Sequence, residues 1–172
     1  MRTAQIGVGT LLAICVAATA ALAISAGVQR TVPCDESIDT TPFPYLGNAQ
    51  PQYRFRSILN AVSVPPADLQ QVIATKQSPW RYWHKAGLVV RARRAVTVTV
   101  PPRWRTRAAI DWGNNGGPFE MLRIAACAGD PHSGHAYAGG FYLRSPSACV
   151  PLTFSVGGRS AIVHFGIGRR CG

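Results

Sequence analysis

Two histidines three residues apart, with an aspartate beside them, are the densest set of potential ligands in this 172-residue sequence: Asp130-Pro131-His132-Ser133-Gly134-His135. Two imidazoles and a carboxylate are donors that zinc or copper accept. A metal centre in a loop needs a third or fourth fixed ligand, and His84 and His164 lie far off in the sequence. The proline and glycine of the loop also remove the helix or strand geometry that holds such pairs. His132, His135 and Asp130 are therefore expected to form a solvated loop, with no metal and no cofactor. A small-ligand or metal role centred on residues 129–135 stands as the alternative.

Arginine is the second chemical resource. The formal net charge is +11, from 18 basic against 7 acidic residues, and every basic residue except Lys76 and Lys85 is arginine. Between residues 54 and 107 eleven basic residues face one acid, Asp68, while Asp35, Glu36 and Asp39 cluster upstream. The planar guanidinium fork suits carboxylate and phosphate partners. A genome biased toward arginine explains the same excess without any function. Arg91, Arg93, Arg94, Arg103, Arg105 and Arg107 are the expected anion contacts. Indoles stand beside cations in Trp80-Arg81-Tyr82-Trp83-His84-Lys85 and in Arg103-Trp104-Arg105. Such mixtures can stack on sugars or sit at a membrane interface. Trp80, Trp83 and Trp104 are nonetheless expected in the core, with arginine stems covering the rim.

Catalytic constellations are missing. There is no G-x-S-x-G elbow, no phosphate-binding loop and no dinucleotide fingerprint. Seven acids, three of them clustered upstream, leave little for a glycosidase carboxylate pair. Cys127 and Cys149 are expected to be bridged rather than reactive, and His164 to be structural. No enzyme is expected.

What would position these residues begins at the N-terminus. No charge occurs between Arg2 and Arg30, and residues 6–24 are almost wholly apolar. Nineteen helical residues reach about 29 Å, close to the ~30 Å hydrocarbon core. Arg2 and the α-amino group favour an N-terminus on the cytoplasmic side. The expectation is a five-residue cytoplasmic N-terminus, a single-pass anchor over 6–28, and a C-terminal domain outside the cell membrane. The alternative is a signal peptide cleaved near Ala23 or Ser25 and a secreted domain. Cys15 is not a lipidation site, since Ile14 precedes it and the apolar run continues beyond it. Residues 29–52, rich in proline, read as an extended spacer, and residues 53–172 as one extracytoplasmic domain.

Outside the apolar stretch stand Cys34, Cys127, Cys149 and Cys171, an even number that reads as two disulfides in an exported domain. Three pairings are open. Cys127–Cys149, closing a loop between neighbouring strands, and Cys34–Cys171 are the preferred pair. No finger-like Cys/His spacing supports a metal site.

Residues 57–64 read as a first strand, stopped by Pro65-Pro66, and residues 68–76 as a short helix with Asp68 at its N-terminus. Residues 88–100 read as one strand, with strict alternation over Val96, Thr97, Val98, Thr99 and Val100. Thr106, Ala108, Ile110 and Trp112 alternate next, and a Gly/Asn turn follows over 113–118. Residues 119–127, 139–144, 150–156 and 161–167 complete the strands, and Gly157-Gly158 joins the last two as a hairpin. Six or seven short strands predict an all-β ectodomain, an antiparallel β-sandwich, with a small barrel as the other solution.

In the last third of the chain, Cys127, the Ala138-Gly139-Gly140-Phe141 strand, Cys149-Val150-Pro151-Leu152, Gly157-Gly158 and Cys171 recur in one order. That order resembles a loose group of single-pass or secreted, disulfide-bonded β-domain proteins of actinobacteria with high-GC genomes. The resemblance implies an exported, disulfide-bonded β domain and carries no mechanism. The expected function is thus a non-enzymatic, membrane-anchored envelope protein whose basic domain binds an anionic surface, such as anionic lipid or cell-wall polymer, or a partner protein. Nucleic acid is not an expected partner outside the cell.

Overall fold

Where valine alternates with threonine the chain extends, because branched side chains on one face can be buried together while the other face stays wet. A computed structural model describes residues 28–47, 54–66, 68–69, 72–114 and 116–172. All of the expected anchor but Val28, and both cleavage positions, lie outside the described residues; Val28 itself belongs to the domain, its carbonyl accepting from the Glu120 N–H at 2.8 Å. Among the described residues no helix is long and apolar enough to cross a membrane.

The strands, in chain order, are β1 (Gln29–Val32), β2 (Asp39–Pro42), β3 (Arg56–Ile58), β4 (Val62–Val64), β5 (Asp68–Leu69), β6 (Ile73–Ala74), β7 (Tyr82–Lys85), β8 (Leu88–Arg91), β9 (Val96–Thr99), β10 (Ala108–Trp112), β11 (Met121–Ile124), β12 (Ser133–Tyr137), β13 (Gly139–Leu143), β14 (Ala148–Val156) and β15 (Arg159–Ile167). They form three sheets, ordered β1-β11-β9-β14-β15-β5, β10-β13-β7-β6 and β2-β12-β8-β4-β3. Most pairings are antiparallel; β1 with β11 and β15 with β5 are parallel. All three sheets feed one core, in which Val98, Leu152, Phe154 and Phe165 meet Trp112, Phe141, Leu88 and Tyr137.

The two smaller sheets share a register. Tyr82 to Lys85 pair with Leu143 to Gly140, and Leu88 to Arg91 continue the same count against Tyr137 to Gly134. One long two-stranded ribbon thus runs through both sheets, interrupted near Ala86 and Ala138, where the Ala86 N–H still reaches the Gly139 carbonyl at 2.8 Å. The Ala-Gly-Gly sequence follows from this crowding. A Cβ on Gly139 would fall on the Asp111 carbonyl oxygen, and one on Gly140 on the His84 carbonyl oxygen. The hairpin at Gly157-Gly158 is as expected, with φ of +53° and +77° at its two turn residues.

Several expectations change. The all-β class and the antiparallel pairing hold, but the strands are more numerous than six or seven, and most are shorter than expected, while β14 and β15 run longer, at nine residues each. The described residues of 68–76 hold two short strands and not the expected helix. β5 adds to the edge of β15 and β6 to the edge of β7. Nine residues are below the length at which a helix sustains itself, and sheet edges satisfy this backbone instead. The run over 88–100 is not one strand. It breaks after Arg91, turns at Arg93 (φ +62°) and continues as β9 in another sheet. Residues 57–64 are a tight hairpin, β3 and β4, turning through Leu59 and Asn60 at φ of +51° and +52°. The stretch read as a spacer holds β1 and β2, and its Val32 is fully buried.

The disulfides are Cys34–Cys127 and Cys149–Cys171, with Cα separations of 5.5 and 5.3 Å. The expected pairs, Cys127–Cys149 and Cys34–Cys171, are therefore corrected. β1 and β11 run parallel with Val32 opposite Ile124, so Cys34 and Cys127 leave the same end of neighbouring strands. β9 stands between β11 and β14 and keeps Cys127 from Cys149. Cys149 opens β14, and the tail after β15 returns to it.

Candidate anion-binding site

Pro101 and Pro102 end β9, since neither can donate to a ladder, and a 3-10 turn over Pro102–Trp104 follows. The turn packs Trp104 half-buried against the core and delivers Arg107 to the threshold of β10. The Arg107 guanidinium carbon lies 4.1 Å from the Trp104 ring centroid, and the guanidinium donates to the Arg103 carbonyl at 3.2 Å. Directly across, the Arg144 N–H donates to the Arg107 carbonyl at 3.3 Å, extending the ladder that pairs Ala108 with Leu143. The Arg144 guanidinium stands 5.7 Å from the ring of the buried Trp80. A third arginine, Arg169, arrives from the tail beyond β15, which Cys149–Cys171 ties down. With Ser145, Ser147 and Ala148, these residues line a pocket of ≈ 400 Å³, and no Asp or Glu stands among its described lining residues.

Both ion pairs formed among the described residues lie elsewhere. Arg30 pairs with Glu36, and Arg105 with Glu120 at 3.1 Å. Three exposed guanidiniums thus share a concave surface whose described lining holds no acid, where an anion would gain charge-assisted hydrogen bonds.

The six arginines singled out in the sequence do not form one patch. Arg107 lines the pocket, and Arg103 supplies the carbonyl that braces it. Arg105 is engaged by Glu120. Arg91 donates from Nε to the Pro131 carbonyl at 2.7 Å, with its guanidinium over the Phe43 ring, and Arg93 donates to the Gly129 carbonyl at 2.9 Å. Those two brace the 129–133 loop, and Arg94 is exposed beside them. Arg144 and Arg169 were not among the sequence candidates. Trp80 is buried and Trp83 half-buried against Tyr142, with ring centroids 4.5 Å apart.

The expected loop over 129–135 is corrected: Ser133, Gly134 and His135 belong to β12, with His135 paired between Thr40 and Val90, and only the turn before it, with Asp130 and His132, is a loop, held by hydrogen bonds to backbone. Asp130 accepts from the His132 N–H at 2.6 Å, and a His135 ring nitrogen meets the Ala128 carbonyl at 2.9 Å. Among the described residues, no three or more His, Cys, Asp or Glu side chains gather in a way that could hold a metal. His84 is buried beside Phe141, and His164 is exposed on β15.

No family model matches this sequence, and no curated protein or solved structure is significantly similar to it. The site therefore carries the functional argument alone.

A second charged cluster, away from the pocket, links the start of the chain to the turn after β10. Glu36 pairs with Arg30 and accepts from the Asn114 N–H at 2.9 Å, and the Arg30 guanidinium lies 5.6 Å from the Phe119 ring centroid. Nearby Asp111 is buried, with Oδ2 accepting from the Gly117 N–H at 3.2 Å and Oδ1 without a hydrogen bond. Burial pushes its carboxyl above the ordinary 3.8; the Gly117 hydrogen bond and Arg30 draw it back, and Glu36 adds to the rise. Burial likewise raises the Tyr142 hydroxyl, with the Asp111 charge adding to it.

A carboxyl that holds its proton more tightly folded than unfolded contributes fully below its ordinary pKa and loses that contribution as pH rises through the raised value. Asp111→Asn should therefore be more stable than wild type at neutral pH. The difference should close below about pH 4, where both side chains are neutral. Urea unfolding at several pH values measures this; a variant less stable at neutral pH would show that the charge is needed.

Proposed function

We propose that this chain is a non-enzymatic envelope protein, anchored by residues 6–28 or secreted, whose basic and disulfide-bonded β domain binds an anionic surface. The convergence of Arg107, Arg144 and Arg169 around a pocket whose described lining holds no carboxylate carries the reading. The two disulfides support an oxidising compartment. The formal charge of +11 supports attraction to anionic lipid or cell-wall polymer. Beside a membrane, even weak contacts of this kind gain from high local concentration.

The full chain in zwitterionic nanodiscs should capture vesicles containing phosphatidylglycerol and leave zwitterionic vesicles in solution. Replacing Arg107, Arg144 and Arg169 together with serine should weaken capture about a hundred-fold or more, since three charge-assisted contacts of over about one kcal/mol each add to over about 3 kcal/mol. Removing the same charge at exposed Arg54, Arg94 and Arg159 should change it far less. Equal loss in the two variants would deny the pocket its role, and capture of zwitterionic vesicles would deny the anionic preference.

A further inference from the structure

We propose that the pocket between Trp104, Arg107, Arg144 and Arg169 takes a phosphomonoester dianion, and that the Cys149–Cys171 disulfide completes it. The assignment rests on the reading of this face as the anion-binding one and names the group that enters.

Charge comes first. Arg107 and Arg144 face each other across the β10–β13 ladder. Like charges directly opposite on neighbouring strands destabilise a sheet. Among the described residues neither side chain is in an ion pair, and Arg169 adds a third cation to the same pocket. An arrangement that opposes folding in the free protein becomes favourable when an anion occupies it, and such conflicts mark functional sites.

Geometry narrows the anion. Arg107 is held before any ligand arrives, stacked on Trp104 and hydrogen-bonded to Arg103, which lowers the entropy lost on binding. Three guanidiniums around one space suit a group with three terminal oxygens and two charges. A carboxylate offers two oxygens and one charge, and so engages fewer of the three cations and compensates less of their charge than the dianion does. Ser145 and Ser147 add hydroxyl donors at the wall. At ≈ 400 Å³ the space exceeds what a bare phosphate needs and falls within the range of small-molecule sites, leaving room for the esterified part.

The disulfide supplies the third cation. Arg169 lies past the last strand, two residues before Cys171, and Cys149 itself lines the pocket. Opening the bond frees the tail that presents Arg169. Replacing Cys149 and Cys171 together, which leaves Cys34–Cys127 closed, should therefore weaken the site as the loss of Arg169 does, while β14 and β15 keep their nine-residue ladder.

Calorimetric titration of the full chain in zwitterionic nanodiscs tests this, with inorganic phosphate and glycerol 3-phosphate as soluble probes and vesicles containing phosphatidic acid as the lipid-borne one. Glycerol 3-phosphate should bind, and its affinity should fall as pH drops through about 6, where the ester loses its second charge. Arg144→Ser, Arg169→Ser and the Cys149→Ser/Cys171→Ser pair should each weaken it about ten-fold or more. Arg159→Ser on the distal hairpin should stay within roughly two-fold, as a distant screened charge does. Without ligand at low ionic strength, Arg144→Ser should melt above wild type, a gain that a merely structural arginine would not give. Tighter binding of phosphatidic acid vesicles than of glycerol 3-phosphate would place the phosphomonoester on a lipid, and the reverse on a soluble compound; either supports the site. Equal weakening by Arg144→Ser and Arg159→Ser would overturn it. So would failure of every phosphomonoester to bind while phosphatidylglycerol vesicles are still captured, an outcome that leaves the broader reading standing; loss of that capture as well would remove both.

Discussion

Replacing Cys34 and Cys127 together with alanine should destabilise the domain by about 4.5 kcal/mol, against about 3.5 kcal/mol for Cys149 and Cys171. The bonds close loops of 93 and 22 residues, and the longer loop removes more entropy from the unfolded chain. The first pair also secures an otherwise weak element. β1 is four residues long, lies at the edge of its sheet, and pairs only with β11. Without the bond, Val32 and the Arg30–Glu36 pair depend on four backbone pairings. Denaturant unfolding of both double variants, followed by tryptophan fluorescence, measures the order. A larger loss from Cys149 and Cys171 would mean that the tail, rather than β1, limits stability.

Glu36→Ala should cost about 3 kcal/mol or more. It strands the guanidinium of Arg30, whose side chain is only 14% exposed, and removes the acceptor of the Asn114 N–H. Breaking a mostly buried pair from one side is expensive because the remaining charge keeps its desolvation penalty. Glu36→Gln should recover part of the loss by restoring the acceptor. The expected reporter is the turn after β10, where hydrogen exchange at Asn114 should accelerate in Glu36→Ala before the core is affected. Stability equal to wild type in Glu36→Ala would show that the pair only breaks even against water.

Elements whose side chains alternate strictly were legible in the sequence. Val96, Val98 and Val100 are buried as the alternation requires, and Ala108, Ile110 and Trp112 enter the core as expected, but Thr106 is exposed in the turn before β10, and Ala109 and Asp111 on the other face of that strand are buried too. The glycine pair at 157–158 marked its own hairpin. Short edge strands were not legible. β1 and β2 hold threonine, arginine and a proline, and only their positions beside β11 and β12 make them strands. Cysteine pairing depended on those same neighbours. Once β1 lies parallel to β11, Cys34 and Cys127 meet; a reading that leaves residues 29–52 outside the sheets has no reason to join them.

The site was legible only in part, for a related reason. Arg107 belonged to the visible basic run, but Arg144 and Arg169 are isolated in sequence and reach it through the β10–β13 register and the Cys149–Cys171 tie. The available signal was positional: Arg144 ends a strand just before Ser145-Pro146-Ser147, and Arg169 sits between a strand and a cysteine. Conversely, Arg91, Arg93 and Arg105 looked like free cations in the sequence and are occupied by carbonyls or by Glu120.

The most direct test of the anionic-surface reading is the ionic-strength dependence of capture, with the full chain in zwitterionic nanodiscs and vesicles containing phosphatidylglycerol. The screening length shrinks from about 30 Å at 0.01 M salt to about 8 Å at 0.15 M. Binding led by arginine at an open pocket should therefore weaken steeply across that range. Capture that holds constant with salt, or that extends equally to zwitterionic vesicles, would contradict the account.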